Sequence, residues 1–248
     1  MEVSLYQAAA AMNATERWQD MIAENLSAAP VSGGRKREIA FSDVQAGLDQ
    51  NVGNTGSSNY YIPVASTVTN FQPGELRASG NPMDFALEGP GFFNVQLPNG
   101  NTAYTRAGEF QLNSKGQLVT KQGYQVLGQA GPIQFNPNSS DSITISASGE
   151  VSQGANQVGK LKLTEFSDPK YLSAMGVDEF RIDNPSAGPK DATQTKVRQG
   201  SLEAANTSPT TEMAGLVTAM RMFEANQKVM QMQGDRMNKV ITELGGTS

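Results

Sequence analysis

The chain of 248 residues contains no cysteine and no histidine. The first absence excludes disulfides, thiolate nucleophiles and cysteine-ligated metals. The second removes the commonest general base and the commonest metal ligand. A chain without cysteine also escapes wrong pairing in an oxidising compartment. Aromatic residues are scarce at 7%, so the expected core is modest and mostly aliphatic. No apolar run approaches the roughly eighteen residues that span a bilayer, and direct membrane insertion is not expected. The N-terminus, from Met1 to Trp18, has no basic leader, and Asn13, Glu16 and Arg17 break its alanine run. A cleaved secretory signal is therefore not expected. Net charge is -5, and the only basic cluster is Arg35-Lys36-Arg37. Three such residues read as a solvated turn, and no nucleic-acid partner is expected.

Catalytic material is equally thin. Without histidine and cysteine there remain carboxylate pairs, serine or lysine nucleophiles and oxygen-ligated metals. Asp84 and Glu88 lie four apart in strand-like text, which separates them along one face. Asp178 and Glu179 are adjacent and would point to opposite faces of a strand. Ser139 to Thr144 lacks the glycine and ligand spacing of a calcium loop. Gly89-Pro90-Gly91 reads as a tight turn opening a strand, not as a phosphate cradle. Neither an enzyme nor a cofactor or metal site is expected.

The ends of the chain are strongly patterned. Met213, Leu216, Met220, Phe223, Gln227, Met230, Gly234, Met237, Ile241 and Leu244 step by three and four. That is the 3.5-residue period of a coiled-coil seam. Ser208 is placed as N-cap, Pro209 at the first helical position and Glu212 in the first turn. Gly245-Gly246 marks the stop. The polar face sets Arg221, Lys228, Arg236 and Lys239 against Glu224, Asp235 and Glu243. Such balance argues against an anionic lipid surface. At the other end Leu5, Ala8, Met12, Thr15, Gln19, Ile22 and Leu26 repeat the pattern, with Ser4 and Gln7 at capping-box spacing. Thr15 and Gln19 weaken that seam and can fix its register. Pro30 ends the helix near Ser27 or Ala28.

Between these ends the text turns to short strands. Asp49 to Tyr61 is rich in Gly, Ser and Asn and reads as a mobile connection. Pro98-Asn99-Gly100-Asn101 and Asn113-Ser114-Lys115-Gly116 are hairpin turns between alternating runs. The expected fold class is mainly β with helical termini. An all-β domain, residues 76–195, is inserted between helices that form a discontinuous coiled-coil-like domain. Residues 1–40 supply its N-terminal helix and turn, 41–75 an extended linker and 196–248 its C-terminal helix. Helices of about 24 and about 36 residues cannot cover each other fully. Uncovered apolar stripe seeks other copies, and a head-to-tail contact that does not close builds a filament. The residues point to a self-assembling structural subunit.

Three blocks add a resemblance. Ala23, Asn25 and Leu26, followed by Ser32-Gly33 and Arg35, resemble the signature A-N-N-L-A-N-x-x-T-x-G-Y-K. FQPGELRASGNPMDFALEGPGFFNV (Phe71 to Val95) and YTRAGEFQLNSKGQLVTKQGYQVLG (Tyr104 to Gly128) form the second block. QGSLEAANTSPTTEM and RMFEANQK form the third. The chain resembles the flagellar basal-body rod and hook family of bacterial axial proteins. The resemblance implies a helical domain from both termini lining a tubular rod, with the β domain outside it. It implies partnership with other copies, with other rod and hook axial proteins and with the flagellar export apparatus. It also implies export without a cleaved signal peptide, and a place in the periplasmic basal body. The ending EANQKVMQMQGDRMNKVI looks most like the proximal rod proteins, with the distal rod protein nearly as good a match. One departure stands at the helix exit, where Ala28, Pro30 and Gly34 replace the usual residues.

The expected subunit-interface residues are Leu5, Met12, Ile22, Asn25, Leu26, Met213, Leu216, Met220, Phe223, Met230, Met237, Ile241 and Leu244. Two other readings stay open. One is a peptidoglycan-remodelling factor using Asp84 or Glu88. The other is a flagellum-associated binding module presenting Tyr60, Tyr61 or Tyr124.

Overall fold

A computed structural model of the chain describes residues 2–46, 60–139 and 141–245. The chain divides into two compact units.

The first unit comprises Met1–Glu24, Arg37–Val68 and Thr210–Ser248. Helix α1 runs over Glu2–Ala28 and helix α2 over Pro209–Gly245. Helix α1 stops where Pro30 disfavours helical backbone at Ala29. It begins at Glu2, so Ser4 lies inside the first turn and is not the N-cap. Helix α2 opens with Pro209, whose missing N–H costs nothing at a first helical position, and has Glu212 in its first turn. The two helices run antiparallel. Asn226 Nδ2 donates to Thr15 Oγ1 at 3.3 Å, and a Cβ on Gly215 would lie 3.5 Å from Ile22 Cδ1. Strands Arg37–Ala46 and Tyr60–Thr69 pair as a two-stranded sheet. These strands occupy much of the range 41–75, where an extended linker was expected. The rest of the Asp49–Tyr61 connection, the side chains of Leu5, Tyr60, Tyr61 and Leu244, and Gly246 lie outside the described residues.

The second unit comprises Asn25–Lys36 and Thr69–Pro209. Its main sheet follows the order Leu172–Ala174, Glu179–Ile182, Thr102–Thr105, Phe92–Gln96, Gln125–Gly128, Leu118–Thr120, Phe110–Leu112. Strand Phe92–Gln96 is its hub. One edge pairs with Thr102–Thr105, and the other is shared by Gln125–Gly128 and Leu163–Phe166. The strand's two faces meet different hydrophobic clusters, Phe93 and Val95 on one side and Phe92 on the other, so all three are buried. The one polar residue among them, Asn94, accepts from Thr164 Oγ1 at 3.0 Å. Both expected hairpins form, Phe92–Gln96 with Thr102–Thr105 and Phe110–Leu112 with Leu118–Thr120.

Two hydrophobic clusters follow. The larger gathers Phe85, Leu87, Phe93, Leu118, Val126 and Val151. The smaller is aromatic, with Phe71, Phe92, Phe166 and Phe180 meeting edge-on or tilted at 5.1–6.1 Å. The strands run past residue 195, where the β domain was expected to end. Lys196–Gln199 pairs with Phe85–Glu88, and Ser201–Glu203 pairs with Leu76–Ala78. The alternation in these late strands is short and was masked by its closeness to the helix. The architecture is mainly β with one N-terminal and one C-terminal helix.

Candidate functional site

The least accessible side chains of α2 are Glu212, Leu216, Ala219, Phe223, Asn226, Met230, Gln233 and Met237. They too step by three and four. Leu216, Phe223, Met230 and Met237 coincide with the expected seam. The positions between them shift back by one, so that Ala219 and Asn226 are covered while Met220 is 52% exposed. Small Ala219, fully buried, admits a close approach, and Asn226 reaches Thr15 on α1. The bulkier methionines stay outside. Met213 and Ile241 are likewise exposed. On α1, Ile22 and Asn25 are buried, while Met12 and Leu26 are half-buried.

Apart from Ile241, the exposed large apolar residues of α2 fall into two rows. Met213, Val217 and Met220 lie along one flank, and Met222, Val229, Met232 and Val240 along another. At 100° per residue these rows sit on either side of the covered stripe. Helix α2 thus carries exposed apolar residues on both flanks of its covered stripe, the first row only between Met213 and Met220, a pattern for a helix with several neighbours.

A second feature lies in the β-rich unit. Arg35, read from sequence as part of a solvated turn, is buried. Its Nη2 donates to Glu203 Oε1 at 2.7 Å, and Arg106 Nη1 donates to Glu203 Oε2 at 3.1 Å. Of the basic cluster, Arg37 pairs with Glu24, and Lys36 is half-buried. Two guanidiniums thus share one carboxylate away from water, leaving a formal charge of +1. Arg35 Nε and Nη1 and Arg106 Nε find no acceptor among the described residues. Burial pulls the Arg106 pKa down to about 10, partly restored by Glu203, so it stays charged at neutral pH. Arg106 also lies over the Phe92 ring at 5.0 Å.

The turn that carries Arg35 explains the departure at the helix exit. Ala29 N donates to Asn25 O, Val31 N to Ala28 O and Gly34 N to Val31 O. A Cβ on Gly34 would meet Ala28 O at 2.8 Å, so the tightened turn demands a small residue there. Gly33, at φ 71°, presses against Arg106 and Ala107, where a Cβ would lie 2.4 Å from backbone atoms.

The carboxylates considered for catalysis do not converge. Asp84 is buried and accepts from Asn81 Nδ2 at 3.0 Å, whereas Glu88 is exposed and pairs with Arg198 at 3.3 Å. Burial pushes the Asp178 carboxyl up, helped by the charge of Glu109. Burial and then Asp178 push Glu179 up in turn. Tyr124 is half-buried against the larger core. Among the described residues no group of three or more acidic side chains is placed to hold a metal, and no helix is long and apolar enough to cross a membrane.

Sequence reasoning missed Ala219, Asn226, Glu203 and Asn206. The first two carry a signal, a small and a polar residue one step from the apolar repeat. Glu203 and Asn206 act through partners 97 to 170 residues away, which no local pattern reveals.

Comparison with known proteins adds the following. Residues 86–153 match a family model described as the flagellar hook protein FlgE/F/G D1 domain. Residues 198–243 match one described as the flagellar basal body rod FlgEFG protein C-terminal. The chain is 33% identical to the flagellar basal-body rod protein FlgG of Borreliella burgdorferi, over 92% of this chain and 93% of the relative. It is 32% identical to the flagellar basal-body rod protein FlgF of Mesorhizobium japonicum, over the full length of both. Identity to the FlgF of Caulobacter vibrioides is 29%, over 99% of each.

Proposed function

The chain belongs to the flagellar basal-body rod protein family, and from that membership we propose how it works. It is a structural subunit of the bacterial basal-body rod, assembling with other copies and with other rod and hook proteins. Its place is the proximal rod, a reading supported by the ending from Glu224 to Ile241. It reaches the rod through the flagellar export apparatus. Its role is mechanical, not catalytic: the rod transmits torque and conducts exported subunits.

One observation carries the assembly reading, the pair of exposed apolar rows on α2. Each methionine or valine moved from water into a full contact contributes about 1.5–3 kcal/mol. Seven such side chains suffice to hold a subunit among neighbours even when each is only partly covered. The rows are interface faces toward other axial subunits, as are the expected positions Met213, Met220 and Ile241. Leu216, Phe223, Met230 and Met237 serve the seam within the helical unit.

The test uses an exposed position, because Phe223→Asp would also injure the helix pair. Met220→Asp and Val229→Asp are expressed in a strain lacking the gene. Both should keep the wild-type melting temperature yet fail to enter the basal body, leaving cells non-motile. Normal incorporation of both variants would overturn the assignment of these rows.

A further inference from the structure

The chain passes between its two units at residues 24/25, 36/37, 68/69 and 209/210. Inside the second unit, the segments beside three of these crossings are laced together. Lys36 N donates to Asn206 Oδ1 at 2.6 Å. Asn206 Nδ2 donates to Asn70 O at 2.9 Å and to Gln72 O at 2.8 Å. Asn70 N donates back to Lys36 O at 2.8 Å. The Asn206 amide thereby uses its acceptor and both donors on backbone, none on its own neighbours in sequence.

Three residues earlier Glu203 repeats the arrangement. Its carboxylate accepts from Arg35, from Arg106 and from Gly74 N at 2.8 Å. Its backbone O accepts from Gly33 N at 2.7 Å. The fit is close on every side. A Cβ on Gly74 would lie 1.9 Å from Ala204 O. Two side chains thus bind the turn after α1, the segment 70–74 and the lead into α2 into one node.

We propose that the Glu203–Asn206 node is a force coupling, through which load on the chain's helical segments reaches its β strands. The inference rests on the reading of the chain as a rod subunit. A single peptide connection under tension extends by rotating its own dihedrals. Connections tied to one another cannot extend singly, because several hydrogen bonds must break together. The guanidinium–carboxylate bonds are charge-assisted and shut away from water, so solvent does not replace them as they stretch. Nothing in the folding of the β core requires Asn206. It lies in no strand, and the two hydrophobic clusters are complete without it.

The test compares wild type, Asn206→Ala and Asn206→Asp in a strain lacking the gene. Asp keeps an acceptor for Lys36 N and loses both donations. Amide exchange of the purified full chain should rise roughly tenfold at Lys36 and Asn70 in Asn206→Ala, with Val95 and Val126 unchanged. Cells carrying Asn206→Ala should swim like wild type in dilute medium and fall several-fold below it as viscosity rises. Asn206→Asp should lie between. Unchanged exchange at Lys36 and Asn70 would overturn the node. Faster exchange with wild-type swimming at every viscosity would overturn the coupling. Should Asn206→Ala cells build no rod, Asn206→Asp is judged against wild type by the same two readings. Failure of the rod-subunit reading looks different: the deletion strain itself would remain motile.

Discussion

Asn226 on α2 hydrogen-bonds Thr15 on α1, and it is a polar step in the covered stripe of α2. Thr15 Oγ1 in turn donates to Ala11 O at 2.7 Å. A polar pair inside an apolar seam stabilises little, because its groups lose water to meet each other. It does penalise every other register, since a slipped helix leaves the amide covered and unpaired.

Asn226→Leu should therefore leave the melting temperature unchanged or raise it while loosening the register. A chain free of cysteine makes the check simple. Ile22→Cys with Gly215→Cys should cross-link efficiently in the native background. The yield should fall when Asn226→Leu is added, with cross-links appearing from the introduced thiol on α1 to cysteines placed one turn along α2. Equal yields and no slipped products would refute the register role.

The helices were legible in the sequence because each is a long run with one period and clear stop signals. The end of α1 follows from Pro30 and the start of α2 from Pro209. The strands around Pro98–Asn101 and Asn113–Gly116 were legible because turn chemistry is local. The face of α2 was half legible. A 3.5-residue count cannot distinguish Met220 from Ala219, because both are apolar and adjacent; the choice falls to how closely α1 approaches. The burial of Arg35 was not legible at all. A basic triplet looks solvated until a carboxylate 168 residues away is brought beneath it.

Of the three charged partners, Glu203 is the one whose loss costs most. Glu203→Ala leaves two buried guanidiniums facing each other without a counter-charge. The expected loss is about 3–5 kcal/mol, read as a lower melting temperature and denaturation midpoint of the full chain. Replacing Arg35, Glu203 and Arg106 together by Met, Leu and Met should cost far less, because no orphaned charge remains. If the triple variant proves as unstable as the single one, packing and not charge explains the cluster.

Asp178 gives a pH signature. Its carboxyl is raised by burial first and by the charge of Glu109 second, against its own backbone N–H, Gln122 and Lys121. The folded value therefore lies above the unfolded one, near 3.9. From that pH upward the native state holds more proton than the unfolded state, so stability falls as pH rises through the window. Asp178→Asn removes this contribution, and the fall above about pH 4 should become shallower. Glu179, also raised, keeps a residual slope. Denaturant midpoints measured across that range in both proteins decide the matter, and parallel curves would exclude Asp178 as a source.

Gly33 and Gly80 separate two costs of adding a methyl group. Both have φ in the left-handed region, 71° and 74°. Around Gly80 nothing lies within 4 Å of a built Cβ, while at Gly33 backbone atoms of Arg106 and Ala107 lie at 2.4 Å. Gly80→Ala therefore meets only the conformational penalty, about 1–2 kcal/mol. Gly33→Ala meets the same penalty and a clash with backbone that cannot swing aside, which adds about 1–3 kcal/mol. The turn relieves that clash only by retreating from Arg106, which breaks the bond from Gly33 N to Glu203 O and draws Arg35 off the carboxylate. Gly33→Ala should thus melt well below Gly80→Ala and speed amide exchange at Gly74, whose partner is the same carboxylate. Equal melting temperatures for the two variants would mean that the turn can move freely, and that Arg35 is not held by it.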